Sequence, residues 1–242
     1  MPKYKLVVAD IKQEEFRIAA HLSQDPAMLA IINEGRDWHS ETAMAFTGKP
    51  AHLLTSEERF FAKTGNFSKL NNASVKRLAI AAKVPIKDAR KMSDTFDELY
   101  HVYDAWRGIV ATELAITGYV TTEFGRRRHL PNIWAPQLHD REEAIRMAVN
   151  TRVQGTAADV GKIVLVKMGA ALRGIDARLV LYVHDEVVVE TIDKHVPYVI
   201  QCTRTMTEGV LPGVALPVDV EVGDNWAAYH ETENPYGLVA AH

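Results

Sequence analysis

The stretch "LVLYVHDEVVVE", residues 179–190, decides how this chain is read. Two runs of aliphatic and β-branched residues have the composition of buried strands, yet His184, Asp185 and Glu186 interrupt them. A carboxylate among such residues is costly to bury unless something compensates its charge. Either the acids sit at a solvated turn between two strands, or a cation belongs there.

Outward from that hairpin, "YKLVVAD" (4–10) reads as a second buried strand that ends at an acid, followed by a helix through "EEFRIAAHLS". "DPAMLAIINEG" (25–35) carries both a helix start and a glycine stop. "TSEERFFAKTGNF" opens with an N-cap at Thr55 or Ser56 and acids in its first turn, and helical patterning runs to about Ala115 with a break at Pro85. "GYVTTEFGRRRHLPN" (118–132) predicts a β-hairpin with a basic arm. Residues 141–174 predict one long amphipathic helix stopped by Gly174. "LPVDVEVG" predicts a closing strand, and "ENPYGLVAAH" a loose tail. The fold expected is α+β: an antiparallel sheet with a mostly helical insertion.

The bulk numbers narrow the function. At 242 residues and 47% hydrophobic, the chain has ample material for a core. It contains no apolar run long enough to span a membrane, and its start lacks a signal-peptide layout. The single cysteine, Cys202, excludes an internal disulfide and suits a reducing compartment, so a cytoplasmic location is expected. A net charge of −3 conceals an uneven distribution. Residues 59–91 carry nine Lys or Arg against one acid, Asp88, so this segment is +8 and the remainder −11. A basic block on an acidic body fits a polyanion held beside metal-binding carboxylates. On charge alone a solvated helical face fits equally.

Asp10 and Asp185 each end or interrupt a strand. If those strands are neighbours, two anions converge and demand a divalent cation or a proton. Oxygen ligands without a Cys or His cluster favour Mg²⁺ or Mn²⁺, and a pair of such ions serves phosphoryl transfer. Arg59, Lys63 and Phe67 recur at i, i+4 and i+8, on one face of the predicted helix, where two cations and a ring match a nucleoside triphosphate. Such spacing is also common on solvated helices.

Five segments then combine: "VVADIKQEEFRIAAHLS", "RFFAKTGNF", "GYVTTEFGRRRHLPNI", "NTRVQGTAAD" and "YVHDEVVVE". In this order and spacing the chain resembles the family A DNA polymerases of the bacterial polymerase I type, from Lys5 to about His230. The resemblance implies a palm of residues 1–36 and 137–242 with a short tail, and fingers of residues 37–136. It implies Asp10, Asp185 and the carbonyl of Ile11 as ligands of two Mg²⁺ ions, with Mn²⁺ an alternative, and Glu186 as an accessory acid beside the primer terminus. By the same resemblance Glu15 excludes a ribose 2′-hydroxyl, and Gln13, His39, Arg59, Lys63 and Phe67 bind the nucleotide. Lys63 would also protonate the leaving pyrophosphate, and Phe67, lacking a hydroxyl, implies poor use of dideoxynucleotides. Arg128, Arg146, Asn150, Gln154 and His184 would contact the primer–template, Asn150 and Gln154 through minor-groove acceptors shared by every correct pair.

The chain departs from the family pattern at three places. Asn71 stands where a tyrosine normally packs by the templating base, which implies altered fidelity or lesion tolerance. Lys12 places a cation beside Asp10, either on primer or triphosphate or toward solvent. The family's thumb and early palm strands precede the first segment matched here. A second polypeptide carrying them, or a homo-oligomer, is therefore expected to cover an open sheet edge. Two rivals stay in view. A single-subunit RNA polymerase shares the motif logic, although Glu15 argues against it. A non-catalytic nucleic-acid-binding or assembly subunit could keep the fold. His21 and the four tryptophans are expected to serve packing.

Overall fold

The computed structural model describes residues 3–241. They form two compact units, residues 3–14 with 157–241, and Glu15–Thr156. The first is built on strands β1 (Tyr4–Ile11), β4 (Ala177–Val183), β5 (Glu186–Ile192), β6 (Val218–Gly223) and β7 (Val239–Ala240). The second holds helices α1 (Glu14–Ser23), α2 (Pro26–Asn33), α3 (Trp38–Thr47), α4 (Ser56–Leu70), α5 (Val75–Ala82), α6 (Ile86–Leu99) and α7 (His101–Thr117), and the hairpin β2 (Tyr119–Thr121) and β3 (Arg127–His129). Helix α8 (Leu138–Ala171) continues from the second unit into the first, and α9 (Val196–Thr205) packs on β1, β5 and β6. The architecture is α+β, as the patterning requires. Compactness divides the chain within α1 and α8, whereas the motifs divide it at 36/37 and 136/137.

The sheet order is β4-β5-β1-β6-β7, antiparallel throughout. The central strands explain the continuous apolar runs: Val7, Val8 and Ala9 of β1 and Val187, Val188 and Val189 of β5 are all buried. Register pairs Asp10 with Glu186 on one side and with Asp219 on the other. Directly opposed residues of an antiparallel pair project from the same face. The apolar strand pattern therefore gathers acids at one end of the sheet.

The described residues after β6 are not loose. Val239–Ala240 form β7 and pair with Glu221 and Val222 of β6. Leu238 N–H donates to Ala227 O at 2.8 Å, and Asp224 N–H to Tyr236 O at 2.8 Å. The tail expectation fails because a two-residue strand has too little length to show a period.

In the helical unit, Thr55, one of the two N-cap candidates, caps α4 through a capping box with Glu58. Asp25, fully buried, joins distant segments: Oδ1 accepts from Ala27 and Met28 N–H, and Oδ2 from Val102 and Tyr103 N–H. Ala43, Ala62, Leu78 and Met92 form one core across α3 to α6. Val110, Leu114, Val120 and Ala148 form another across α7, β2 and α8. The helical run after Thr55 breaks at Asn72 as well as Pro85; Asn72 takes φ 52° and Lys83 φ 55°, both left-handed stops. The long helix starts at Leu138, three residues earlier than its pattern indicates.

Candidate active site

The chemistry of the sheet unit lies where β1 ends against the β4–β5 turn. Val183 pairs with Glu186, so His184 and Asp185 form a two-residue hairpin loop. His184 takes φ 56°, the left-handed region that glycine fills most readily, and its side chain is exposed. Ile11 N–H donates to Asp185 O at 3.2 Å, which ties the loop to β1 one residue beyond Asp10. The Asp10 and Asp185 carboxyls lie close enough for each to feel the other's charge. Burial, followed by the charges of Asp185, Glu186 and Asp219, raises the Asp10 pKa to about 6.

Four acids thus crowd one strand end. Among the described residues no three His, Cys, Asp or Glu side chains form a ready-made cage. The acids form a like-charged set in which a proton on Asp10 relieves repulsion. The donor chemistry is all oxygen, which suits Mg²⁺ or Mn²⁺.

Sequence reasoning missed two members of this end. Asp219 enters only through the β1–β6 register, and Lys12 Nζ lies 2.7 Å from its carboxylate, so Lys12 faces an acid. Trp226, assigned to packing from sequence, is half exposed and donates its indole N–H to Glu186 Oε1 at 2.8 Å. No local pattern signals either contact.

In the helical unit, α4 exposes Arg59, Lys63 and Phe67 while burying Ala62, Asn66 and Lys69. Arg59 lies in a fork with Asp37, Nε to Oδ2 at 2.8 Å and Nη2 to Oδ1 at 3.0 Å. Asp37 also caps α3 through Ser40 N–H. Burial alone would raise its pKa, but the bonds from Arg59 and Ser40 bring it down to about 2. His39 is buried, and its Nδ1 lies 3.1 Å from Asn66 Nδ2, which also faces the Trp38 carbonyl. A carbonyl only accepts, so the Asn66 amide nitrogen donates to both, and the imidazole proton belongs on Nε2. Burial, with Arg59 and Lys63 adding, lowers His39 to about 4, so the ring is neutral at pH 7. Phe67 meets Trp38 edgewise and His39 at a tilt, at centroid distances of 5.9 and 5.5 Å.

The +8 block is not wholly available to a polyanion. Lys69 is buried against Asp97 at 2.6 Å, and Lys91 caps the Phe46 carbonyl. Asn71 donates to Phe67 O and accepts from Gln154 Nε2 at 3.0 Å. Arg146, Asn150 and Gln154 follow one face of α8; Arg146 has no hydrogen bond or ion pair among the described residues, and Asn150 Oδ1 is buried without a partner. Arg128 donates to Thr151 Oγ1 at 3.0 Å. Gln13 is exposed with φ 50°, and Glu15 is half-buried. His21 is paired with Glu123 at 3.2 Å. Trp38 stacks on Phe16, Trp106 on Tyr103, and Trp134 donates to Ala115 O.

A family model described as DNA polymerase family A matches residues 1–228. The chain belongs to that family. The thermostable DNA polymerase I of Thermus aquaticus is 38% identical over 227 residues, covering 93% of this chain and 27% of that protein. The DNA polymerase I of Pseudomonas aeruginosa is 36% identical over 230 residues, covering 94% and 25%. Among solved structures, the POL domain of Pol1 from M. smegmatis, in complex with DNA primer-template and dNTP, matches with a TM-score of 0.86 at 30% identity. That match covers 92% of this chain and 40% of that one. The chain therefore spans about a quarter of the length of these curated family A relatives. Among the described residues, no helix is long and apolar enough to cross a membrane.

Proposed function

We propose that this chain is the palm-and-fingers portion of a template-directed DNA polymerase, which adds dNTPs to a primer 3′-hydroxyl and releases pyrophosphate. The observation that carries the reading is the gathering of Asp10, Asp185, Glu186 and Asp219 at one end of a buried sheet, by strand register and by the Ile11 N–H bond to Asp185 O. On this reading Asp10, Asp185 and the Ile11 carbonyl hold two Mg²⁺ or Mn²⁺ ions. Such ions lower the pKa of the attacking hydroxyl and neutralise triphosphate charge.

The chain's own residues supply position and charge. Arg59 takes the terminal phosphate, exchanging its Asp37 fork for phosphate oxygens of the same geometry. His39, neutral, donates from Nε2 to a phosphate oxygen. Lys63 binds the inner phosphates and gives its proton to the departing pyrophosphate. Phe67 stacks on the base or sugar, Gln13 contributes to the nucleotide pocket, and Glu15 excludes a 2′-hydroxyl. Glu186 and His184 serve the primer terminus. Arg128, Arg146, Asn150 and Gln154 hold the primer–template.

Residues 1–36 and 137–242 act as palm and 37–136 as fingers. The edge strand β4 exposes Val180, Leu181 and Val183. A second polypeptide bearing thumb and early palm strands, or a second copy of this chain, is the proposed cover for an edge of that kind.

Primer extension on a primed template, with Asp185→Ala as control, tests the reading. Extension by the chain, absent from the variant and preferring dNTPs to rNTPs, supports it. Template binding with equal, negligible extension by both, with and without neighbouring gene products, would leave the non-catalytic subunit as the better description.

A further inference from the structure

We infer that Trp226 is a positioning residue, held in a clasp of residues 224–238, whose indole N–H fixes the Glu186 carboxylate within the acidic cluster. The inference rests on the reading of Glu186 as an acid that serves the reaction. Glu186 opens β5 directly opposite Asp10, and both belong to the set of acids whose charges repel. Its side chain has three rotatable bonds and would swing toward solvent if nothing held it. An indole N–H is a donor only, so it selects an acceptor oxygen and cannot itself ligate a cation. With Oε1 held at 2.8 Å, the second oxygen keeps a defined direction.

The support behind Trp226 is unusually complete for a segment outside regular structure. The side-chain amides of Asn225 and Asn234 form a reciprocal pair at 2.9 and 3.1 Å. Asn225 Oδ1 also accepts Ala227 N–H, and Asn234 Nδ2 reaches the carbonyls of Ala227 and Ala228. Asp224, which precedes the pair, is ion-paired with Lys3 and Lys5. A Cβ on Gly237 would lie 2.5 Å from Ala228 O, and one on Gly223 would lie 2.8 Å from the Gly237 backbone, so the strands close only through glycine. Five side chains and two glycines thus fix the backbone that carries one indole. An outer-shell donor held on a rigid support orients the group it touches.

The test uses the full chain with Trp226→Phe, Glu186→Ala and the double variant. Trp226→Phe keeps the ring and removes the donor. The expected result is a kcat lowered about tenfold, a dNTP KM within about twofold, and no further loss when Trp226→Phe is added to Glu186→Ala. Asn234→Ala, which leaves indole and acid intact, shifts kcat in the same direction by less. A readout independent of activity is the ¹H–¹⁵N indole spectrum, with one signal for each of Trp38, Trp106, Trp134 and Trp226. The signal missing from Trp226→Phe should move upfield in Glu186→Ala while the other three stay. A Trp226 signal indifferent to Glu186→Ala, or losses that add in the double variant, overturns the inference. A signal that follows Glu186 in a chain that extends no primer, with or without neighbouring gene products, supports the clasp and overturns the polymerase reading.

Discussion

Arg59 and Asp37 are joined through two of the three guanidinium nitrogens and both carboxylate oxygens, although 22 residues separate them. The same carboxylate caps α3, the helix that carries His39. Two functions on one acid allow them to be separated by substitution. Asn caps a helix as well as Asp does, whereas Ala does not. Asp37→Asn is therefore expected to keep α3 intact, free Arg59, and tighten binding of inorganic triphosphate a few-fold by calorimetry. Asp37→Ala is expected to cost about 1 kcal/mol of stability. Arg59→Ala is expected to weaken triphosphate binding by on the order of tenfold. Equal affinities in all four proteins would remove Arg59 from the nucleotide site.

Asp10 gives a pH dependence with a definite sign. Its pKa lies at about 6 in the fold, above the ordinary aspartate value of 3.8. The folded state therefore binds more protons than the unfolded state between these values. The stability this group contributes is fully present below about pH 4, falls as pH rises through 6, and is flat above. In EDTA at pH 7.5, Asp10→Asn is thus expected to melt higher than the parent chain, and the difference should vanish near pH 4. Mn²⁺ affinity, by contrast, should climb up to about pH 6 and then level, because the proton must leave before a cation enters. A parent chain that melts higher than Asp10→Asn in EDTA would contradict the crowding.

Gly161, on α8, admits the ring of Tyr182. A Cβ there would lie 1.7 Å from the phenol oxygen and 2.4 Å from Cζ. Gly161→Ala should cost roughly 1–3 kcal/mol as overpacking in urea unfolding. The phenol oxygen is buried with no hydrogen-bond partner, and burial, then Glu14 and Asp185, push its pKa up to about 12. Tyr182→Phe should accordingly be neutral or slightly stabilising. A loss above about 2 kcal/mol would mean that the hydroxyl has a partner.

Asn71 holds Gln154 by a side-chain hydrogen bond at 3.0 Å and folds back onto Phe67 O. A tyrosine at 71 would replace this polar link with a ring. Asn71→Tyr is expected to change mismatch incorporation on a defined template, with Gln154 released from its present partner. Identical error rates for parent and Asn71→Tyr would show that the amide has no bearing on fidelity.

Much of this arrangement is legible along the chain because its cause is local. The His184-Asp185 turn follows from charged residues set between two apolar runs, the start of α4 at Thr55 or Ser56 from hydroxyl residues ahead of acids, and the exposed row Arg59, Lys63 and Phe67 from helical spacing. What escaped depends on partners far away. Asp219 reaches Asp10 only through the β1–β6 register, and Trp226 reaches Glu186 across 40 residues. Lys69 looked like one more cation in a basic block until Asp97, 28 residues on, gave it a buried partner. Register and ion pairing between distant segments are tertiary facts, and patterning along one strand or helix carries no trace of them.

His184 occupies a backbone region that glycine would fill without strain, at a cost on the order of 1 kcal/mol for any other residue. The route to greater heat tolerance that a protein engineer would try first, relaxing this turn, would exchange an imidazole beside two carboxyls for a bare backbone. Should His184 serve the primer terminus as proposed, thermal robustness and turnover would be selected in opposite directions at a single codon.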